Sequence, residues 1–406
     1  MLLQIKSKMQ NASTDSLQTG YRIQSIDLLR GLVMIIMALD HTRDYFHWSA
    51  MLFDPLDLEK TSIPIFLTRW ITHYCAPVFV FLAGTSAFFI GVRKGKKELS
   101  AFLLKRGLWL IVLEITVISF GWFFNIHFTL IVLQTIWALG FGMIALSALI
   151  HLPKRLILIT AIAIIFGHNL LDLVHVAGQN APALGWSLLH DPNGFVFSSL
   201  TLIVGYPVLS WIGVMAAGYC LGELYVRYSH EKRKKILLYL GLSAIFIFIL
   251  LRFINIYGDS KPWSAQHTSA FTFFSFVNTT KYPPSLLYIL MTLGPALIFL
   301  ALAEKPLNRF TRIITVYGRV PLFYYVLHIY FIHLLAMLAA QLTGYNWSNM
   351  ILHSFPGNIP SLRHYGFHLW FVYVVWIIIV VALYPLCKWY NKYKIVHKEK
   401  WWLSYL

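Results

Sequence analysis

Ten runs of about 18 to 25 predominantly apolar residues follow one another along almost the whole chain, and this recurrence leaves few ways for it to fold. A hydrocarbon core about 30 Å thick offers no water to unpaired backbone groups, so segments of this kind cross it as helices. The runs lie near 26–46, 64–91, 102–124, 128–149, 155–175, 200–227, 236–255, 284–303, 314–340 and 367–390. The fifth is interrupted by His168, Asn169 and Asp172, and the ninth by His328 and His333. Hydrophobic residues make up 58% of the 406 and charged ones 12%, against about 25% charged in soluble domains. The expected fold class is therefore all-α, a polytopic membrane protein with about ten transmembrane helices.

Charge alternates between the connecting loops. FDPLDLEK after the first run is acidic, whereas RKGKKE, HLPKR, RYSHEKRKK and EKPLNRFTR follow the second, fourth, sixth and eighth. The C-terminal segment adds Lys388, Lys392, Lys394, Lys398 and Lys400. Excess Lys and Arg in short loops marks the cytoplasmic side, so both termini are expected there. The net charge of +17 is accounted for by these loops, and no nucleic-acid partner is expected. Residues 1–22 are polar and lack the apolar core of a signal peptide. They are read as a flexible cytoplasmic tail, ahead of a single transmembrane domain over 23–391 and a basic tail over 392–406. Cys75, Cys220 and Cys387 lie in apolar stretches without CxxC or His-rich spacing, so buried thiols and no metal site are expected. Two extracytoplasmic loops, about 176–199 and 256–283, have a length and composition that suit a site or a lid. No internal repeat of the kind found in many secondary transporters is visible.

Ionisable groups inside apolar runs are costly and mark pathways or sites. In SIDLLRGLVMIIMALDHTRDYF, Arg30 and His41 stand eleven residues apart, about 16 Å along a helix. Arg30 then sits near one membrane face while Asp40 and His41 reach the middle or far half. Asp27, Arg30, Asp40, His41, Asp44 and His47 all crowd this one segment. His41, Asp44 and Tyr45 share a helix face, and Asp40, Asp44 and His47 can also line up. A carboxylate beside an imidazole orients it and raises its basicity, as a general base requires. The plainer alternative is a set of buried ion pairs, or an interfacial belt at the helix end. In RWITHYCAPVFVFLAGTSAF, His73 follows Arg69 by four residues, Pro77 disturbs the helix, and Gly84, Ser86 and Ala87 permit close packing. His73 is a second polar candidate for the same cavity, or simply a hydrogen bond between helices. Arg106 in LLKRGLW can hold a phosphate through its planar fork, or anchor the helix in the cytoplasm. In GRVPLFYYVLHIYFIHLL, His328 and His333 lie roughly 140° apart around a helix and make no metal pair. His328 is a candidate to face a central cavity. Asp259, Trp263 and Lys281, in the second long loop, are candidates to contact a polar substrate such as a sugar, although interfacial aromatics are common without a ligand.

Arg30 followed across ten residues by His41, after IDLL, resembles the Arg-x10-His motif of the integral-membrane acyltransferases that O-acylate glycans. Over most of the chain the sequence more closely resembles the bacterial relatives of heparan-alpha-glucosaminide N-acetyltransferase. The supporting stretches are the two histidine-bearing segments just quoted, YGDSKPW, NTTKYPPSLLYILMTLGP, GRVPLFYYVLH and the terminal WWLSYL. The resemblance implies a transmembrane acyl transfer in a bacterial inner membrane. An acyl-CoA, acetyl-CoA foremost, binds from the cytoplasm, and the acyl group passes to a hydroxyl or amine of an extracytoplasmic sugar or glycan. It implies His41 as general base or transient acyl carrier, Asp40 or Asp44 as its orienting carboxylate, and Arg30 and Arg106 on the phosphates of coenzyme A. The N-acetyltransferase pattern has an asparagine at the place of His41 and its essential histidine nearer His47. The two patterns thus imply different catalytic histidines, and His41 is favoured. Thioesters are already activated, so no metal is required.

The main rival is a transporter or flippase that uses the same buried His, Asp and Arg as a proton or substrate pathway. Only Pro77 and Pro295 offer the broken helices it would want. A scaffold with polar residues as helix glue is the third reading. Acceptor, acyl length and oligomeric state, a homodimer included, are left open by the sequence.

Overall fold

The computed structural model describes residues 23–354 and 358–404. The expected N-terminal tail lies outside the described residues. Helix α1 (Gln24–Phe46) carries Asp27 and Arg30 in its first two turns and Asp40, Arg43 and Asp44 in its last two. Helices α2 (Ile63–Thr72) and α3 (Cys75–Lys94) share one span, broken at His73 and Tyr74. Pro77 explains the break, because proline has no N–H and its ring crowds the carbonyl four residues earlier. That carbonyl belongs to His73, and the hydroxyl of Tyr288 donates to it at 2.8 Å.

Helix α4 (Lys96–Leu113) continues through a π-turn (Glu114–Ile118) into α5 (Ser119–Phe123). Strand β1 (Leu130–Leu133), α6 (Thr135–Leu149), α7 (Lys154–Gly167) and α8 (Ala181–Leu189) follow. Strands β2 (Gly194–Phe197) and β3 (Leu200–Val204) then lead into α9 (Val208–Arg227) and α10 (His230–Ile254). The remaining helices are α11 (Ser269–Val277), α12 (Leu286–Leu302), α13 (Arg309–Arg319), α14 (Pro321–Leu342) and α15 (Leu369–Val396).

Among the described residues, six helical segments are long and apolar enough to cross a membrane: Ile63–Lys94, Lys154–Leu171, Val208–Arg227, His230–Ile254, Pro321–Leu342 and Leu369–Val396. Large apolar side chains such as Phe246 and Phe253 on α10, and Trp370, Ile378 and Val381 on α15, face outward. Lipid covers a surface like this; water does not. The chain is a multi-pass integral membrane protein.

The structure departs from the expected all-α reading in one place. Residues 130–133 and 200–204, expected within helices, instead join 194–197 in a sheet of order β1-β3-β2. β1 pairs with β3 in parallel, Leu130 opposite Thr201, and β2 is antiparallel to β3. The pairing satisfies backbone groups that helices would otherwise satisfy, and Pro207 at the cap of α9 delays that helix. The run 314–340 is likewise two helices, because Pro321 disfavours helical backbone at Val320 and starts α14.

Helices approach closely where glycine allows it. A Cβ on Gly84 of α3 would stand 2.0 Å from the carbonyl oxygen of Met215, and one on Gly218 of α9 2.0 Å from that of Phe81. The pair Gly31 and Gly318 does the same for α1 and α13, at 2.1 Å from the oxygen of Ile314 and 1.9 Å from that of Asp27. Small residues at such crossings supply the van der Waals contact that holds helices together in lipid. Gly84→Val is therefore expected to destabilise the protein by about 2 kcal/mol or more, read as a lower melting midpoint in detergent. Gly185→Ala, where the added Cβ meets nothing within 4 Å, is expected to leave that midpoint unchanged or slightly raised.

Candidate active site

The last two turns of α1 open onto a cavity of about 960 Å³. Asp40, His41, Arg43, Asp44 and Tyr45 line it from α1, Arg69 from α2, Trp122 from α5 and Tyr325 from α14. β1 and β3 contribute Val132, Ile203 and Val204, and the loops add Ser49, Asp54, Asn193, Lys281 and Tyr282. A second cavity of about 30 Å³ adjoins it and shares Asp40, His41, Thr135, Tyr206, Lys281 and Tyr325. His41 thus stands where the two spaces meet.

Charge is arranged around Asp40. Arg69 donates to one of its oxygens in a short bond, and Arg43 stands 3.0 Å from the other. Arg43 also reaches Asp44 at 2.5 Å. A carboxylate at this depth costs several kcal/mol unless paired, and two arginines from α1 and α2 pair it. Lys281 is nearly buried and meets only aromatic rings among its described partners, Tyr282 at 5.2 Å and Tyr206 at 5.9 Å. Ring faces attract an ammonium without neutralising it, so Lys281 brings a positive charge to a cavity that the Asp40 carboxylate also lines. Its segment is clamped from behind. Asp259 accepts from the backbone and hydroxyl of Thr280 at 2.9 and 2.8 Å and from the Ser285 hydroxyl at 2.7 Å. Arg252 donates to four carbonyls, those of Lys261, Ser275, Phe276 and Asn278, at 2.8–2.9 Å.

The imidazoles are ordered by hydrogen bonding. Nδ1 of His328 lies 2.9 Å from the carbonyl oxygen of Tyr324. A carbonyl only accepts, so this nitrogen carries the proton and Nε2 of a neutral His328 is bare. Nδ1 of His41 lies 2.8 Å from that Nε2, and must therefore be the donor. His41 is left with an unprotonated Nε2, the nitrogen a general base uses. Trp122 packs edge-on against the His41 ring at 4.7 Å, and Tyr45 fixes Trp122 by donating to its carbonyl.

The other expected site residues divide. The expected carboxylate partner of His41 is absent among its described hydrogen bonds: Asp40 and Asp44 are taken by arginines, and His328 orients the ring instead. His47 is buried and lines neither cavity; its Nδ1 lies 2.6 Å from the Ser49 hydroxyl and accepts from the Ser49 backbone at 3.2 Å. Burial, with Arg43 and His368 nearby, pushes that imidazole down to about 4, so it is neutral at pH 7. His73 is fully buried, edge-on to Tyr288 at 5.5 Å and outside both linings. Asp259 and Trp263 also stay outside them; the indole of Trp263 donates to the Arg252 carbonyl at 2.7 Å. Arg30 donates to Ser86 at 2.7 Å and to the carbonyl of Gly318 at 3.2 Å, with Asp27 3.5 Å away. Arg106 packs beside Phe102, 5.9 Å from the ring centre. Sequence reasoning passed over Arg43, Trp122, Tyr206, Tyr325 and Glu114. Glu114 had the clearest signal, a lone carboxylate in an apolar run. It is buried in the π-turn and accepts from the Trp137 backbone at 2.7 Å, which caps α6 and fixes Thr135 at the cavity.

Residues 22–257 match the family described as heparan-alpha-glucosaminide N-acetyltransferase, catalytic. The chain belongs to this family. No curated protein matches it. The matched segment holds His41, the arginines and the sheet of this acetyltransferase-family protein, whereas Lys281, Tyr325 and His328 come from beyond it.

The hydrogen bonding predicts which of His41, His47, His328 and His333 reacts with diethyl pyrocarbonate. His41 has a bare nitrogen at a cavity and is expected to be modified, whereas His47, His328 and His333, all buried and hydrogen-bonded, are expected to be protected. Peptide mass spectrometry reads this directly.

Proposed function

We propose that the protein is a transmembrane acetyltransferase that moves an acetyl group from cytoplasmic acetyl-CoA to a hydroxyl or amine of a sugar presented on the opposite side. The observation that carries this reading is the position of His41, with its bare Nε2 at the junction of a wide and a narrow cavity, in a chain of the N-acetyltransferase family. About ten spans with both termini in the cytoplasm, in a bacterial inner membrane, go with it. So does one transmembrane domain over 23–391 between polar tails. Positive-inside charge supports that orientation, which puts the wide cavity on the extracytoplasmic side.

In this mechanism His41 Nε2 takes the proton of the acceptor as its oxygen or nitrogen attacks the thioester carbonyl. The new bond forms as the carbon–sulfur bond breaks, and the imidazolium returns the proton to the departing thiolate of coenzyme A. His328 fixes the ring and its tautomer. The Lys281 ammonium supplies positive charge where the carbonyl oxygen becomes anionic. Asp44, Arg43, Trp122 and Tyr282 offer the hydrogen bonds and ring faces that sugars bind. Asp40 holds Arg43 and Arg69 in place, and His47 and His73 support the ends of α1 and α2. Asp259 and Trp263 act through the segment that carries Lys281. Arg30 and Arg106 lie on the half of the molecule from which the donor arrives, where they meet its phosphates. No step needs a metal. A wholly membrane-embedded homodimer and a monomer serve this chemistry equally.

Calorimetric titration of acetyl-CoA into the detergent-purified protein tests the reading. Saturable binding is expected, weakened about 10-fold or more in Arg106→Ala, since a charged hydrogen bond contributes about 1.5–3 kcal/mol, and kept in His41→Ala. Failure of a folded protein to bind any acyl-CoA overturns it in favour of a transporter. For turnover, His328→Ala is expected to lower kcat about 100-fold with the affinity for acetyl-CoA unchanged. An equal loss of affinity and rate would assign His328 to substrate binding instead.

A further inference from the structure

Charge in the walls of the two cavities is unevenly matched. Arg69 binds Asp40, and Arg43 stands 3.0 Å from Asp40 and 2.5 Å from Asp44. Lys281 has no such partner. Among the described residues no carboxylate lies within ion-pair distance of its ammonium, whose neighbours are the rings of Tyr206 and Tyr282. Asp44 and Asp54 line only the wide cavity, and Asp54 is exposed to water. Asp40 borders both cavities, but Arg69 holds one of its oxygens and the other is buried beside Arg43. Lys281 itself is only 8% exposed. A cation so far from water is costly until an anion neutralises it.

The narrow cavity, which Lys281 also lines, has the size and chemistry for that anion. A water-sized particle takes about 10–15 Å³ of such space. About 30 Å³ therefore holds two waters or one somewhat larger ion, and has no room for a phosphate or sulfate. Tyr206, Tyr325 and Thr135 bring hydroxyl groups to the lining beside the ammonium. Helix α6 starts here, with Thr135 and Ile136 in the wall, and a helix N-terminus carries positive partial charge. Glu114 offsets part of that charge from outside the cavity, through the Trp137 N–H. Met37, Ala76 and Phe79 close the remaining side with hydrocarbon. Hydrogen-bond donors facing an apolar wall favour a weakly hydrated ion, and one unmatched ammonium balances a single negative charge.

We propose that the narrow cavity is a halide site, with chloride held against the Lys281 ammonium. The ion accepts from Lys281 Nζ and from the hydroxyls beside it, and packs against Phe79 and Ala76. No bond is made or broken, and the site stands whether or not the protein transfers acetyl groups. For the transfer proposed above, the ion balances Lys281 between turnovers and gives way to the oxygen that becomes anionic.

Melting of the full-length protein in detergent tests the site, as chloride replaces gluconate at constant ionic strength. The wild-type midpoint is expected to rise saturably by about 2 °C or more, and bromide to act alike. Lys281→Met is expected to melt at one temperature throughout the titration. Crystals of wild type grown in bromide are expected to show an anomalous peak in contact with Lys281 Nζ. A wild-type midpoint indifferent to chloride overturns the site, as does a bromide peak that is absent from Lys281; water is then the occupant. A chloride response retained in Lys281→Met also overturns it, because the ion then binds elsewhere. Where that variant does not fold, the position of bromide in wild type decides.

Discussion

Much of this structure depends on the pairing of one carboxylate. Asp40 sits in α1 among apolar neighbours, and an unpaired charge there would cost more than a typical protein's margin of stability allows. Arg43 from the same helix and Arg69 from α2 resolve this together. The bond to Arg69 fixes α2 against the end of α1, and the break at His73 then sets where α3 begins. Since α3 supplies Cys75, Ala76 and Phe79, the position of one ion pair propagates into the walls around His41. Removing either partner alone would strand a buried charge, which is why the three residues behave as a unit rather than as separate contacts.

Much of the architecture could be read in the sequence, and the exceptions share a cause. Apolar runs located the helices because membrane burial imposes a length, and Pro77 marked the broken span. The sheet was not legible: LIVL at 130–133 is as apolar as any helix, and its strand character comes from β3, some seventy residues later. Such short runs are ambiguous until their partner is known. The split of 314–340 was legible in Pro321, but the hydropathy continued through it.

The site was legible in its residue types more than in its pairings. Arg30 to His41 drew attention to α1, and Lys281 and His328 were singled out from distant segments; the fold brings His41, Lys281 and His328 together. The partnership was misread because adjacency along a helix favours Asp40 or Asp44 as the mate of His41. In three dimensions Arg43 pairs with both carboxylates and Arg69 with Asp40, and charge attracts charge more strongly than it does a neutral ring. Asp259 and Trp263 were polar or aromatic in a long loop for a structural reason, since that loop must be braced to carry Lys281.

The pair of imidazoles ends on the carbonyl of Tyr324. A backbone carbonyl has no proton to release and takes none up near neutral pH, so the sequence His41, His328, Tyr324 is a blind alley. A proton collected by His41 can go back the way it came or onto a group in the cavities, but not onward through the bilayer along this route. A membrane that stores energy as a proton gradient can therefore carry a basic site in its interior without being short-circuited by it.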